Sequence, residues 1–380
     1  MQHEIVQVKE NVAASNLIPL YEESARIMTI CNACRFCEGH CAVFPAMEQR
    51  LTFDKETIDY LANLCHQCGA CYQHCQYADP HEFNVNVPRV FADVRHQSYA
   101  TYAWPRQMDW AIRNAGWFTV LTTMLATLLL FLGTTLSANE SSEGAGFYTI
   151  ISHDAMVAMF GTAGLLTLLV WCFSVRGFWL TTSLPAVFGI PVSVYRRALV
   201  SILTLKNLDG GHGKGCYETG EVASQMRRIF HHLTMYGFLF CFIATSIGTI
   251  YHYGLSAPAP YDWLSAPKLF GVTGGLGLLV GSAGLWWCKR STEQAITSDD
   301  SGSGNSFIGL LFFTSLTGLA LPLLKASDYL AMALCLHLGV VLALFLNFAW
   351  GKFMHGLYRS IALLASEYEK YVSTHKNTTG

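Results

Sequence analysis

Six apolar runs between Trp117 and Trp350 decide most of what this chain can be. They fall at about 117–136, 155–175, 229–251, 269–287, 307–324 and 330–350. Each is near the ~20 residues that cross a hydrocarbon core. In lipid a backbone must satisfy its own hydrogen bonds, so such runs are helices or barrel strands, and runs of this length are helices. The fourth run is glycine-rich. Gly271/Gly275 and Gly277/Gly281 have the small-xxx-small spacing that lets helix backbones approach. Composition agrees: 13% of residues are charged, about half the roughly 25% usual in soluble domains. The net charge of −2 and the absence of a basic stripe exclude nucleic acid as a partner.

Lysine and arginine set the orientation. The loop 176–228 carries Arg176, Arg196, Arg197, Lys206, Lys214, Arg227 and Arg228, and 288–306 carries Lys289 and Arg290. The C-terminal stretch carries Lys352, Arg359, Lys370 and Lys376, while the alternate loops are nearly bare. The positive-inside rule therefore places both termini at the cytoplasmic face of an inner membrane. Residues 1–20 contain acids and no apolar core of a secretory signal, which also points to a cytoplasmic head. The expected organisation is a cysteine-rich head over 1–95, an aromatic, basic connector over 96–116, a multi-pass bundle over 117–360 and a tail over 361–380. Residues 193–208 are amphipathic and basic; they suit a membrane surface and an ordinary loop helix equally well. The GGHGKGCY stretch that follows departs from the phosphate-loop pattern and reads as a loop.

The head holds eight of the thirteen cysteines. Cys31, Cys34, Cys37 and Cys41 form one C-x2-C-x2-C-x3-C motif, and Cys65, Cys68, Cys71 and Cys75 form another. Zinc sites usually take pairs of C-x2-C, and disulfides do not suit a reducing compartment. Three closely spaced thiolates wrap three corners of a cubane, and in two-cluster ferredoxins the fourth ligand comes from the other motif. The spacing therefore predicts two 4Fe–4S clusters, one on Cys31, Cys34, Cys37 and Cys75, the other on Cys65, Cys68, Cys71 and Cys41. No proline directly follows either fourth cysteine, and TFDKETIDYLANLC between the motifs has apolar residues at helical spacing. An all-α ferredoxin-type head is expected. His40, His66 and His74 inside the motifs read as solvent-facing.

Ionisable residues in spans are rare and usually functional. The third span opens with His231 and His232 and ends at His252; the sixth holds His337, with His355 just beyond it. His337 and His355 are 18 residues apart, five turns of one helix face. The two spans are antiparallel by topology. His231 or His232 should then meet His355 near the cytoplasmic face, and His252 should meet His337 toward the other. Each facing pair offers axial ligands to a b-type haem, so one or two haems are expected, passing electrons toward quinone.

The tandem cysteine motifs, RRIFHHLTMYGFLFCFIATSIGTIYHY and HLGVVLALFLNFAWGKFMHGLYR together resemble the tricarballylate/citrate-utilization protein B family over nearly the whole chain. The resemblance implies a protein that reoxidises a soluble FAD-dependent partner, tricarballylate dehydrogenase, and passes its electrons toward the respiratory chain. A weaker similarity, to the cytochrome subunit of respiratory nitrate reductase, rests on two histidines five turns apart on one helix. A redox sensor or a docking anchor without haem is the alternative reading. Neither a flavin nor a nicotinamide fingerprint is present in this chain, so no catalytic residue is assigned.

Overall fold

The computed structural model describes residues 19–137, 150–211, 213–257, 259, 261–297 and 302–376. It is all-α; among the described residues the one extended pairing is an isolated bridge between Cys216 and Ser224. The head comprises α1 (19–34), α2 (Val43–Glu48), α3 (Lys55–Leu64), α4 (Ala70–Gln73) and α5 (Val87–Thr101). A short α6 (Asp109–Arg113) leads into α7 (Ala115–Ser137) and α8 (His153–Trp179). After α9 (Val192–Leu203) come α10 (Met226–Leu255), α11 (Ala266–Ser291), α12 (Gly302–Leu324), α13 (Leu330–Trp350) and α14 (Met354–Lys376).

Local sequence explains the head helices. Asp54 caps α3 by accepting from the Thr57 amide at 2.9 Å, and Glu56 adds negative charge to the first turn. Asn86 caps α5 in the same way at 3.1 Å, with a proline in its first turn. Ile58, Leu61 and Leu64 turn inward with Phe44, Met47 and Phe91 to form the core. The fully buried Asp59 carboxylate accepts from Tyr21 at 2.6 Å, Lys55 at 2.8 Å and Tyr102 at 2.9 Å. It thereby ties α1, α3 and the end of α5 together.

Six helices are long and apolar enough to cross a membrane. Leu129, Leu165 and Leu323 point outward, 65%, 71% and 81% exposed. Apolar surface on that scale needs a non-aqueous neighbour, so the chain associates with a membrane. Inside the bundle, Asn347 on α13 accepts from Thr119 at 2.7 Å and donates to Thr122 at 3.1 Å, both on α7.

Helices α10 and α11 approach closely through glycine. A Cβ on Gly237 would sit 2.5 Å from the Leu278 amide nitrogen, and one on Gly281 would sit 2.5 Å from that of Thr234. Gly274 and Gly284 face α10 just as tightly, whereas Gly275 faces Leu319 of α12. The tight contact stripe is therefore Gly274, Gly277, Gly281 and Gly284; it keeps the expected Gly277/Gly281 pair, whereas Gly275 of the other expected pair turns to α12. Gly281→Leu should push the helices apart and destabilise the bundle by about 3 kcal/mol. Thermal unfolding of the detergent-solubilised protein would read this as a lower midpoint and a lower folded yield.

The C-terminal stretch differs from the tail expected over 361–380. It is helical through Lys376, and Ile361 to Ala365 are buried. Glu369 receives Arg50 at 2.6 Å, Tyr60 at 3.1 Å and Ser183 at 2.9 Å. Residues 354–376 are thus a clamp between head and bundle. A break over 351–353 separates α13 from α14, and it brings the chain at Gly351 so near the Asn347 carbonyl that a Cβ there would collide. The basic helix α9 packs Val194 and Ala198 inward and is joined to α14 by Arg197–Glu367 at 3.2 Å; Val192, Leu199 and Val200 face out. Head, α9 and α14 all lie at one end of the bundle.

Candidate functional site

The eight motif cysteines ring two cavities. Cys31, Cys34, Cys37 and Cys75 line one, with Phe36 and Tyr77 beside them. Cys41, Cys65, Cys68 and Cys71 line the other, with His40 and His66. Each cavity therefore takes three cysteines from one motif and the last cysteine of the other. The first, outer cage has a volume of about 240 Å³, and Phe36 at its rim is 66% exposed. The second, inner cage is closed down to about 10 Å³, space for about one water. Among the described residues no three His, Cys, Asp or Glu side chains are grouped tightly enough for a single metal ion; the sulfurs surround a space instead.

Turns aim these sulfurs. Gln67 and Gly69 adopt left-handed conformations at φ 54° and 77°, which curl the chain around Cys68. The loop before α10 crosses over the inner cage. Its Tyr217 amide donates to the Cys68 carbonyl at 2.7 Å, and Gly69 leaves room for the Tyr217 carbonyl. His212, in the same loop, lies outside the described residues.

Burial pushes the Cys31 and Cys37 thiols up to about 12, with Cys75 and Cys34 repelling both and Cys37 also repelling Cys31. Burial, then Cys68 and Cys65, raises Cys41 and Cys71 well above the usual thiol range. For Cys68, burial dominates and the positive charge of Arg227 opposes it. Four thiolates crowded into one cage would repel one another, so the set suits a bound cationic group. Raised pKa values keep Cys31, Cys37, Cys41 and Cys71 protonated at neutral pH in protein with nothing bound at the cages. Its iodoacetamide labelling at Cys31 and Cys37 should keep rising with pH well beyond 8.5, the ordinary thiol value. Mass spectrometry of labelled peptides checks this; a plateau near pH 9 would contradict it.

The cages touch one another. Phe44 lines both, and His40 Nε2 shares a hydrogen bond with His74 Nδ1 at 3.1 Å. His40 and His66, expected to face solvent, are buried at 6% and 7% exposure, while His74 is exposed. Nothing in a C-x2-C-x2-C-x3-C spacing reports that burial; it comes from the loop folded over the cage.

Of the membrane histidines, the structure brings His231 and His355 together, with ring centroids 6.4 Å apart and planes at 78°. Two imidazoles on opposite sides of one metal, with bonds near 2 Å, have centroids about 6 Å apart. His355 Nδ1–H donates to the Lys352 carbonyl, which leaves Nε2 with its lone pair free for a metal. His231 Nδ1 is buried and has no hydrogen-bond partner. His232 instead stacks on Tyr236 at 5.8 Å.

The second expected pair does not form. His252 stacks on His153 at 3.8 Å and 9°. His337 shares a hydrogen bond with Thr317 of α12 at 3.0 Å, its ring seated where Gly318 has no side chain. The break at 351–353 ends the single-helix face on which His337 and His355 were aligned.

Comparison with known proteins agrees with this division. Residues 24–101 match the family model described as citrate utilization protein B Fer4-like domain, and residues 111–375 match citrate utilization protein B. The chain is 46% identical over 354 residues to citrate utilization protein B of Escherichia coli, covering 92% of each. No solved structure matches. The ferredoxin-like match covers the head that carries both cysteine cages, the larger match covers the bundle with the histidine pair, and the chain belongs to the citrate utilization protein B family.

Proposed function

We propose that this chain carries electrons from a soluble FAD-dependent dehydrogenase to the quinone pool of the cytoplasmic membrane. The observation that carries the reading is the grouping of cysteines by cavity: Cys75 with the first motif, Cys41 with the second. Each cage has the donor set of a 4Fe–4S cluster, and His231 with His355 has that of a bis-histidine b-type haem. Bound there, these groups would supply one-electron transfer at a solvent-facing rim, under the loop, and at the membrane boundary.

The chain's own residues arrange this. Cys31, Cys34, Cys37 and Cys75 hold the entry site near solvent. Tyr217 and the loop around it exclude water from Cys41, Cys65, Cys68 and Cys71. His231 and His355 present one nitrogen each at the head end of the bundle. The basic loops share that end, which supports a cytoplasmic side for it. The relative's name and the family resemblance point to citrate or tricarballylate utilization, with the organic acid oxidised by the partner.

A dithionite-reduced minus oxidised visible spectrum of anaerobically purified protein tests the reading. A b-type α-band over a broad bleach of iron–sulfur absorbance supports it. A bleach without that band removes the haem and leaves a cluster-bearing anchor. No bleach at all overturns the proposal.

A further inference from the structure

The junction between the inner cage and the histidine pair is unusually cationic. Arg95 is 5% exposed and donates to the Ala62 and Cys65 carbonyls at 3.2 and 3.1 Å, and to Gln67 Oε1 at 3.0 Å. Arg359 donates to the Cys65 carbonyl at 2.8 Å. Arg227 donates to the Gln67 carbonyl at 2.7 Å. Three guanidinium groups from three helices thus close on residues 62–67, the segment that opens the second cysteine motif.

Two of them are placed by the histidines' own helices. Arg227 precedes His231 by one turn on α10, and Arg359 follows His355 by one turn on α14. Their bonds to the Gln67 and Cys65 carbonyls put both arginines on the head side of the histidine pair, where they moor the inner cage above it.

Their charge is poorly balanced. Arg227 has Glu218 at 3.6 Å. Among the described residues no carboxylate forms an ion pair with Arg95 or Arg359; carbonyl and amide oxygens are their partners. Buried cations without counter-charge are costly, so the site favours any added negative charge. The outer cage has no such arrangement: its nearby Arg35 is exposed and bonded only within its own turn.

We propose that Arg95, Arg227 and Arg359 make the inner cage the more easily reduced of the two, so that an electron entering at the solvent-facing rim settles beside the histidine pair. The outer site loses one electron and the inner site gains one; no bond forms or breaks and no proton moves. The extra negative charge is stabilised by guanidinium groups already in place. The proposal rests on the cluster reading above.

The test is an anaerobic potentiometric titration of the full-length protein, followed by electron paramagnetic resonance. The inner signal is identified as the one lost in Cys65→Ser. Arg95→Gln and Arg359→Gln keep a donor for the carbonyls and remove the charge. Each should lower the inner midpoint and leave the outer one in place, cutting the inner site's share of a single electron on the order of tenfold. Arg95→Lys and Arg359→Lys keep the charge and should restore the share. Arg197→Gln, at the Glu367 contact between α9 and α14, should change neither. Unchanged midpoints in the glutamine variants, or lysine variants as low as the glutamine ones, would overturn the proposal. Absence of any cluster signal in the unmutated protein is a different outcome, because it removes the cluster reading itself.

Discussion

Cys75→Ser will erase the same iron–sulfur signal as Cys31→Ser and leave the signal that depends on Cys65. Sequence proximity alone argues the reverse, because Cys75 belongs to the second motif, four residues after Cys71. The cavities argue otherwise: Cys75 lines the outer one with Cys31, Cys34 and Cys37, and Cys41 lines the inner one. Each single variant should retain about half of the iron of the unmutated protein, as expected when one of two cubanes is lost. The double variants sharpen the result. Cys31→Ser with Cys75→Ser removes two ligands of one cage and should lose no more iron than either single change. Cys31→Ser with Cys41→Ser strikes both cages and should lose nearly all of it. Residues acting as one unit are non-additive, and residues in independent units add. If the Cys75 and Cys65 variants share a phenotype while Cys75 and Cys31 differ, each motif serves its own cluster and the cavities have been misassigned.

How much of this was legible beforehand follows from what each residue answers to. The six membrane helices were readable because lipid leaves the backbone no alternative, and hydropathy reports that constraint directly. Their ends were not: α8 runs from His153 to Trp179 and α10 from Met226 to Leu255, past the apolar runs, because a helix persists beyond the hydrocarbon wherever capping and packing permit. The grouping of cysteines by cavity was readable because three closely spaced cysteines curl around one space and leave the fourth to the other motif's side. The pairing of His231 with His355 followed from antiparallel topology. The pairing of His252 with His337 required an uninterrupted helix, and Gly351 interrupts it. The clamp formed by α14 and the arginines at Cys65 carried no visible signal. Glu369 and Arg359 look like solvated charges until the head folds against them. In retrospect one pattern was available: an arginine stands one turn from each histidine of the pair, at Arg227 and Arg359, on the side toward the cysteine motifs.

With the proposed haem held between His231 and His355, His355→Leu should abolish the b-type α-band and His231→Leu should do the same, while His337→Leu and His232→Leu should leave it above about half its original height. The prediction separates the histidines by geometry. His355 has its Nδ1–H committed to Lys352, so its remaining nitrogen can only accept or ligate. His231 carries a buried nitrogen with no partner, and an unmet polar atom there costs about 1–3 kcal/mol. That cost is offset only when the ring is engaged by something bound between the helices. His337 and His232 already have partners in Thr317 and Tyr236, and neither faces His355. Leucine keeps the volume and removes the donor, so the folded yield should hold while the pyridine haemochrome falls below about a tenth, because one axial ligand seldom retains a haem that two held. The iron–sulfur bleach should survive, since the head folds around Asp59 and its own core and does not depend on these rings. If His355→Leu keeps the band and His252→Leu loses it, the haem belongs at the far end of the bundle, beside His153, and the inner cage must pass electrons to quinone without it.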